Sequence, residues 1–146
     1  MTTFEYAADP DSGSLFIRFR GLFGSDVWHS HVLPLASVRP TPEGGAVLFD
    51  FRLAAFATDW DNAFSPTQSS RIGPEFTLAL QPTRIAYVIE TAAGEAVVRR
   101  LSDALGEGTA VAPPDQRFYR IIEGARMWLD IPDDYDISYS RAVALP

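Results

Sequence analysis

The chain has 146 residues, of which 47% are hydrophobic and 21% charged, and its formal net charge is −7. A chain of this length fits one domain that buries about two-thirds of the surface of its unfolded form, so folding requires neither a metal nor a disulfide. The absence of cysteine excludes disulfides, thiolate nucleophiles and cysteine-ligated metals. The negative charge argues against nucleic-acid partners and anionic membranes.

The first residues, MTTFEYAADPDSG, have neither the basic start nor the apolar core of a signal peptide. No apolar run approaches the ~18 residues that a membrane span needs. We therefore expect a cytoplasmic protein without a membrane span.

Two alternating runs lie on either side of a turn in FEYAADPDSGSLFIRFRG, which predicts a β-hairpin. The following segment, SDVWHSHVLPLASVRP, places Val27, Trp28 and Val32 on one helical face. A proline inside a helix removes a hydrogen bond and clashes with the preceding turn. Because Pro34 follows this face, we expect a short helix that ends near Leu33.

The middle of the chain alternates between strand and helix patterns. AVLFDF and RIAYVIE are continuous apolar runs, which are typical of central strands in a parallel sheet. Between them, residues 58–73 are polar and turn-rich, and so long an irregular stretch is often functional. A short helix is predicted from Pro74. TAAGEAVVRRLSDALGEG predicts a longer amphipathic helix, capped by Thr91 and ended by Gly106.

The last third predicts a short edge strand at TAVA, residues 109–112, and a helix over DQRFYRIIEGARMWLD. Asp115 suits the start of that helix and Pro132 its end. The acidic tail then alternates apolar and polar side chains from Tyr135 to Tyr139, which predicts an added edge strand or a dimer contact.

This order predicts a single-domain α/β fold. We expect a mixed, mostly parallel sheet of four or five strands, with an antiparallel N-terminal hairpin and flanking helices. The domain is assigned to residues 1–132, and the acidic C-terminal tail to residues 133–146.

The segments LFIRFRG and AVLFDFRLAAF, with a closing amphipathic helix, resemble the STAS superfamily (sulfate transporter and anti-sigma factor antagonist), particularly its SpoIIAA-like branch. Phe49, Asp50 and Phe51 are the best match, since they are similar to the LDL of the family's central strand. The resemblance implies a SpoIIAA-like fold and a regulatory, protein-binding function without a cofactor.

In relatives that act as phosphorylation switches, this strand leads to D-S-S-G or D-S-T-G. The corresponding positions here hold Thr58, Asp59, Trp60 and Asp61. Asp59 and Trp60 occupy the serine positions and cannot accept phosphate, so the resemblance implies binding without this switch. Some SpoIIAA-like relatives also resemble lipid-carrying folds, which keeps an apolar ligand open.

Thr58, Asp59, Trp60, Asp61 and Phe64 are the partner-binding candidates. They follow the carboxyl end of a buried strand, where ligands of open α/β sheets bind. The alternative is that the polar residues cap the next segment. The two aromatic residues either anchor an interface or pack as a lid over the end of the sheet.

Asp50 lies inside a buried strand, where it either acts as a general base or forms a structural ion pair with Arg52 or Arg84; we favour the structural pair. His29 and His31 point to different sides of a helix and cannot share one ion there. We therefore expect no metal site.

The acids between residues 130 and 136 lack the spacing of a calcium-binding EF-hand, which favours a solvated turn. No G-x-S-x-G, Walker or G-x-G-x-x-G motif occurs. We therefore expect a non-enzymatic module that binds a protein partner or a second copy of itself. The alternatives are a carrier of a small apolar, lipid-like ligand between helices and sheet, and a hydrolase that uses Asp50 and Asp59.

Overall fold

The computed structural model describes residues 2–9, 11–38, 40–42, 44–58, 60, 74–106, 113–139 and 141–145. The strands are β1 (Thr2–Asp9), β2 (Ser14–Phe23), β3 (Ala46–Phe56), β4 (Arg84–Val88), β5 (Asp115–Tyr119) and β6 (Arg141–Leu145). The helices are α1 (Ser25–Val27), α2 (Leu33–Ser37), α3 (Pro74–Leu80), α4 (Ala92–Gly106) and α5 (Ile122–Trp128).

The six strands form one sheet in the order β5-β4-β3-β2-β1-β6. The three pairs from β2 to β5 are parallel, whereas β1 is antiparallel to both β2 and β6. The predicted mixed, mostly parallel sheet with an N-terminal hairpin and flanking helices is confirmed. It has six strands rather than the four or five expected, because residues 115–119 and the chain end each add an edge strand.

The helix after the hairpin is longer than predicted. It continues through a wide π turn, Trp28–Val32, into α2, so the expectation that it ends near Leu33 is wrong. The backbone N–H of Leu33 donates to the carbonyl oxygen of Trp28, five residues earlier. This wider turn accommodates Pro34, which lacks an N–H and would clash with the carbonyl of a regular helical turn.

The segment predicted as one long helix from Asp115 is instead β5 followed by α5. β5 pairs with β4 in register from Arg84 opposite Asp115 to Val88 opposite Tyr119. Phe118 stacks on Tyr87 with ring centroids 5.1 Å apart. Ladder pairing and this ring contact therefore outweigh the helical spacing that the sequence shows. The predicted strand at residues 109–112 lies outside the described residues.

Helices α1–α4 cover one face of the sheet, called the helix face. Its core is aromatic: Phe49 lies between Tyr87 and Trp28, with ring centroids 5.5 Å and 5.9 Å away. Phe76 of α3 also packs against Trp28, at 5.3 Å. As predicted, Thr91 caps α4, because its hydroxyl accepts a hydrogen bond from the Gly94 N–H at 3.1 Å.

α5 and residues 131–139 cover the opposite face, called the tail face. Three small side chains, those of Ala7, Ala46 and Ala86, lie on this face of the sheet. They leave room for Ala125 and Leu129 of the α5 region to pack closely against the strands. Tyr135 lies 6.2 Å from the ring of Phe16 on β2.

The chain then reaches the far edge of the sheet, where Arg141 pairs with Tyr6 and Leu145 with Thr2. The strand begins after the alternating residues from Tyr135 to Tyr139, which pack onto the tail face without strand structure. The division into a domain of residues 1–132 and a tail of residues 133–146 stays a prediction. Among the described residues, no helix is both long enough and apolar enough for a membrane crossing.

Candidate functional site

β2 and β3 extend beyond their neighbours at the carboxyl end of the sheet. The pairing of β1 with β2 ends where Thr3 lies opposite Arg20, and the pairing of β3 with β4 ends where Asp50 lies opposite Val88. Residues 20–23 and 53–56 remain paired with each other. We call this two-stranded extension the ribbon.

The two faces of the ribbon differ in character. On the helix face, Phe23 is buried and lies 5.2 Å from the ring of Phe51. Leu22 points to the tail face, because side chains alternate along a strand and Phe19 and Phe23 are buried on the helix face. Leu53 lies opposite Arg20, which alternates with Phe19, so it points to the same face. Leu22 is 54% exposed and Leu53 is 52% exposed. The ribbon therefore presents apolar surface to solvent.

Of the five partner-binding candidates, Thr58 and Trp60 lie within the described residues; Asp59, Asp61 and Phe64 do not. Thr58 is exposed directly after β3. Trp60 is only 2% exposed, its ring lies 4.9 Å from that of Phe23, and its Nε1–H donates to the Phe23 carbonyl oxygen at 2.9 Å. Trp60 is therefore packed over Phe23, as the lid alternative expects, and its part in partner binding stays a prediction.

Asp50 is buried and engaged by Arg52. Its Oδ1 accepts hydrogen bonds from the backbone N–H and the Nε–H of Arg52, both at 3.0 Å, and its Oδ2 accepts from Nη2 at 2.8 Å. The hydrogen bonds to Asp50 are the main reason why the pKa of Arg52 is raised. The favoured structural pair with Arg52 is therefore present. Arg84 instead donates to the Trp128 carbonyl oxygen at 2.6 Å.

A second ion cluster adjoins Asp50 on the tail face. Glu5 and Arg18 lie opposite each other on β1 and β2, and Arg18 lies opposite Asp50 on β3. The Nε–H groups of Arg18 and Arg20 donate to the two carboxylate oxygens of Glu5 at 2.7 Å and 3.0 Å. Carboxylates and guanidinium groups thus alternate across three strands.

Sequence reasoning missed this cluster. The alternation in LFIRFRG assigns Arg18 and Arg20 to one side of the strand, but it does not identify Glu5 as their partner. That pairing depends on the hairpin register, which the composition of the turn leaves open.

Tyr139 lies over the cluster. The guanidinium carbon of Arg18 is 4.0 Å from the centre of its ring, a cation–π contact. Burial raises the pKa of Tyr139, and the negative charge of Asp50 raises it further. The phenol therefore stays neutral at ordinary pH. The tail thus reaches the same part of the tail face as Asp50 and Arg18.

The two histidines do not form a site together. His29 is exposed, whereas the ring of His31 lies 5.8 Å from that of Phe4. In the part of the chain that the structure describes, no group of three or more histidine, aspartate or glutamate residues could hold a metal ion.

Comparisons with known proteins show a likeness in fold to solved structures. No protein-family model matches the chain, and no curated protein matches it. The chain is similar to a crystal structure of an uncharacterized protein from the DUF3478 family, with a SpoIIAA-like fold, from Shewanella loihica PV-4. The TM-score is 0.51 and the identity 16%, and the match covers 88% of this chain and 93% of the other.

This chain therefore has a SpoIIAA-like fold, a mixed sheet with an antiparallel N-terminal hairpin and flanking helices. The resemblance to the SpoIIAA-like branch is confirmed at the level of the fold. An identity of 16% supports the fold alone. Function must be argued from the residues of this chain.

Proposed function

We propose that the protein is a non-enzymatic, cytoplasmic regulatory module that binds a protein partner at the carboxyl end of its sheet. The binding surface comprises the tail face of the ribbon and the adjoining segment of Thr58, Asp59, Asp61 and Phe64. Trp60 supports this surface from beneath, because it packs on Phe23 and bonds to its carbonyl oxygen.

The exposure of Leu22 and Leu53 is the observation that carries this proposal. The two leucines lie diagonally across the ribbon, since Leu22 is opposite Ala55 and Leu53 is opposite Arg20. Apolar side chains that are exposed together on a rigid element are typical of a protein interface. β2 and β3 are anchored in the sheet, so the ribbon offers this surface at a small cost in conformational entropy.

The described residues offer less support for catalysis or ligand transport. Both carboxylate oxygens of Asp50 accept hydrogen bonds from Arg52. The carboxylate that a hydrolase would use is therefore already engaged in an ion pair. A carrier would need space between the helices and the sheet, but Trp28, Phe49 and Phe76 pack there with ring centroids 5.3–5.9 Å apart. The apolar ligand stays a prediction.

The test is affinity capture with two variants from a lysate of cells that encode the protein. Leu53→Glu places a charge on the ribbon, whereas Met127→Glu does so at the end of α5; Met127 is 79% exposed and serves as the matched control. We expect wild type and Met127→Glu to retain the same protein, and Leu53→Glu to lose it. Retention by both variants, or capture of no protein by wild type, would overturn the proposal. Equal urea midpoints establish that both variants are folded.

A further inference from the structure

We propose that the partner segment recognised by the ribbon is an acidic, apolar peptide, whose carboxylates bind the guanidinium groups of Arg20 and Arg52. These two residues are called the arginine surface. The inference rests on the proposed function and deepens it, since it names the chemistry of the partner.

The carboxylates that pair with the arginine surface are more deeply buried than its guanidinium groups. The side chains of Glu5 and Asp50 are 11% and 3% exposed, whereas those of Arg20 and Arg52 are 47% and 35% exposed. The carboxylates therefore lie beneath, and the guanidinium groups face solvent. A ligand that approaches Arg20 and Arg52 therefore meets guanidinium groups before it meets the carboxylates beneath them.

The buried acids also hold the arginines in fixed orientations while leaving donors free. Glu5 engages the Nε of Arg20, and Asp50 engages the Nε and Nη2 of Arg52. In the described part of the chain, both terminal nitrogens of Arg20 and the Nη1 of Arg52 have no acceptor. Guanidinium groups of fixed orientation bind carboxylates well, because less side-chain entropy is lost on binding. Glu90 acts on Arg52 only at longer range, without a described ion pair.

The apolar part of the ligand follows from the neighbouring residues. Arg20 is two residues from Leu22 on β2 and lies opposite Leu53 on β3, and all three point to the tail face. A segment that binds here would place acidic side chains over the arginines and apolar side chains over the leucines. Charge complementarity thus selects an acidic segment rather than a basic or purely apolar one.

The probe is a fluorescein-labelled decapeptide of alternating glutamate and leucine, measured by fluorescence anisotropy against its lysine–leucine counterpart. Arg20→Gln is the test variant, because Arg18 still holds Glu5 and the fold is retained. Arg117→Gln is the control: Arg117 is also exposed, but it lies on β5, three strands away.

We expect the glutamate peptide to bind at least tenfold more tightly than the lysine peptide. Arg20→Gln should weaken that binding about tenfold, as the loss of hydrogen bonds to a charged group does, and Arg117→Gln should leave it unchanged. Equal binding of both peptides, no binding of either, or an unchanged affinity in Arg20→Gln would overturn the inference. So would displacement of the peptide by inorganic phosphate at matched ionic strength, since the surface would then bind free anions.

The two proposals fail separately. If capture of the natural partner depends on Leu53 but peptide affinity does not depend on Arg20, the ribbon is the docking surface and the acidic chemistry is wrong. If capture does not depend on Leu53, the proposed function itself is wrong.

Discussion

Replacement of Arg52 by methionine tests whether Asp50 is a structural residue. The substitution retains most of the aliphatic side chain and removes the guanidinium group. Asp50 is 2% exposed, so its carboxylate would remain buried with only the backbone N–H of residue 52 as a described donor, at 3.0 Å. The folded state should therefore lose stability.

The geometry sets the size of the effect. Arg52 provides two side-chain hydrogen bonds to the carboxylate, at 3.0 Å and 2.8 Å. Breaking a buried ion pair costs about 3–5 kcal/mol. The Arg52 side chain is 35% exposed, so water already screens part of the interaction, and we expect a loss of about 3 kcal/mol. Replacing both partners, Asp50→Leu with Arg52→Met, should cost less than Arg52→Met alone, because no buried charge is left.

Urea unfolding followed by circular dichroism measures these differences. With a slope of about 2 kcal/mol per molar urea, Arg52→Met should lower the midpoint by about 1.5 M. The double variant should recover a substantial part of that loss. A loss below about 1 kcal/mol for Arg52→Met, or a double variant less stable than the single one, would refute the structural role of this pair.

Two further predictions concern the fold. A Cβ at Gly45 would lie 1.7 Å from the Gly13 carbonyl oxygen, whereas one at Gly44 meets nothing within 4 Å. In urea titrations, Gly45→Ala should therefore lower the free energy of unfolding by more than about 3 kcal/mol. Gly44→Ala should lower it by only about 1 kcal/mol, which is the cost of a side chain at φ +85°. Equal losses in the two variants would contradict the close approach of Gly45 to Gly13. Burial also raises the pKa of Tyr87, so this phenol stays protonated in the folded state while the unfolded chain ionises near pH 10. The free energy of unfolding should therefore fall as the pH rises above 10, by up to about 1.4 kcal/mol per pH unit from this group. A Tyr87→Phe variant whose stability fell equally steeply with pH would show that Tyr87 is not the cause.

Much of the fold could be predicted because several segments have one dominant pattern. The hairpin has a turn between two alternating runs, and β3 and β4 are continuous apolar segments. α4 combines a cap at Thr91 with an amphipathic stripe. In each case the local preference and the tertiary environment favour the same structure.

The errors arise where a local pattern fits two structures. Phe118 and Ile122 are spaced as on a helix, yet Phe118 also alternates with Gln116 as on a strand, and pairing with β4 decides between them. Pro34 predicts the end of a helix unless a π turn precedes it, which the sequence does not reveal.

The sequence predicts where a ligand of this fold would bind, but it does not predict the chemistry of the surface there. Open α/β sheets bind ligands at the carboxyl ends of their strands, and Thr58 and Trp60 follow such an end in the sequence. The exposed leucines and the layered ion pairs depend on strand register and on the extra length of β2 and β3. Neither quantity can be read from apolar periodicity, because a shift of one residue exchanges the two faces of a strand.

The most direct test of the central claim is a ¹H–¹⁵N correlation spectrum of the labelled protein, titrated with the partner obtained by capture. We expect the largest shift changes on residues 20–23 and 53–58, with smaller changes on α4. Changes concentrated on α3 or α4, with the ribbon unaffected, would contradict docking at the carboxyl end of the sheet.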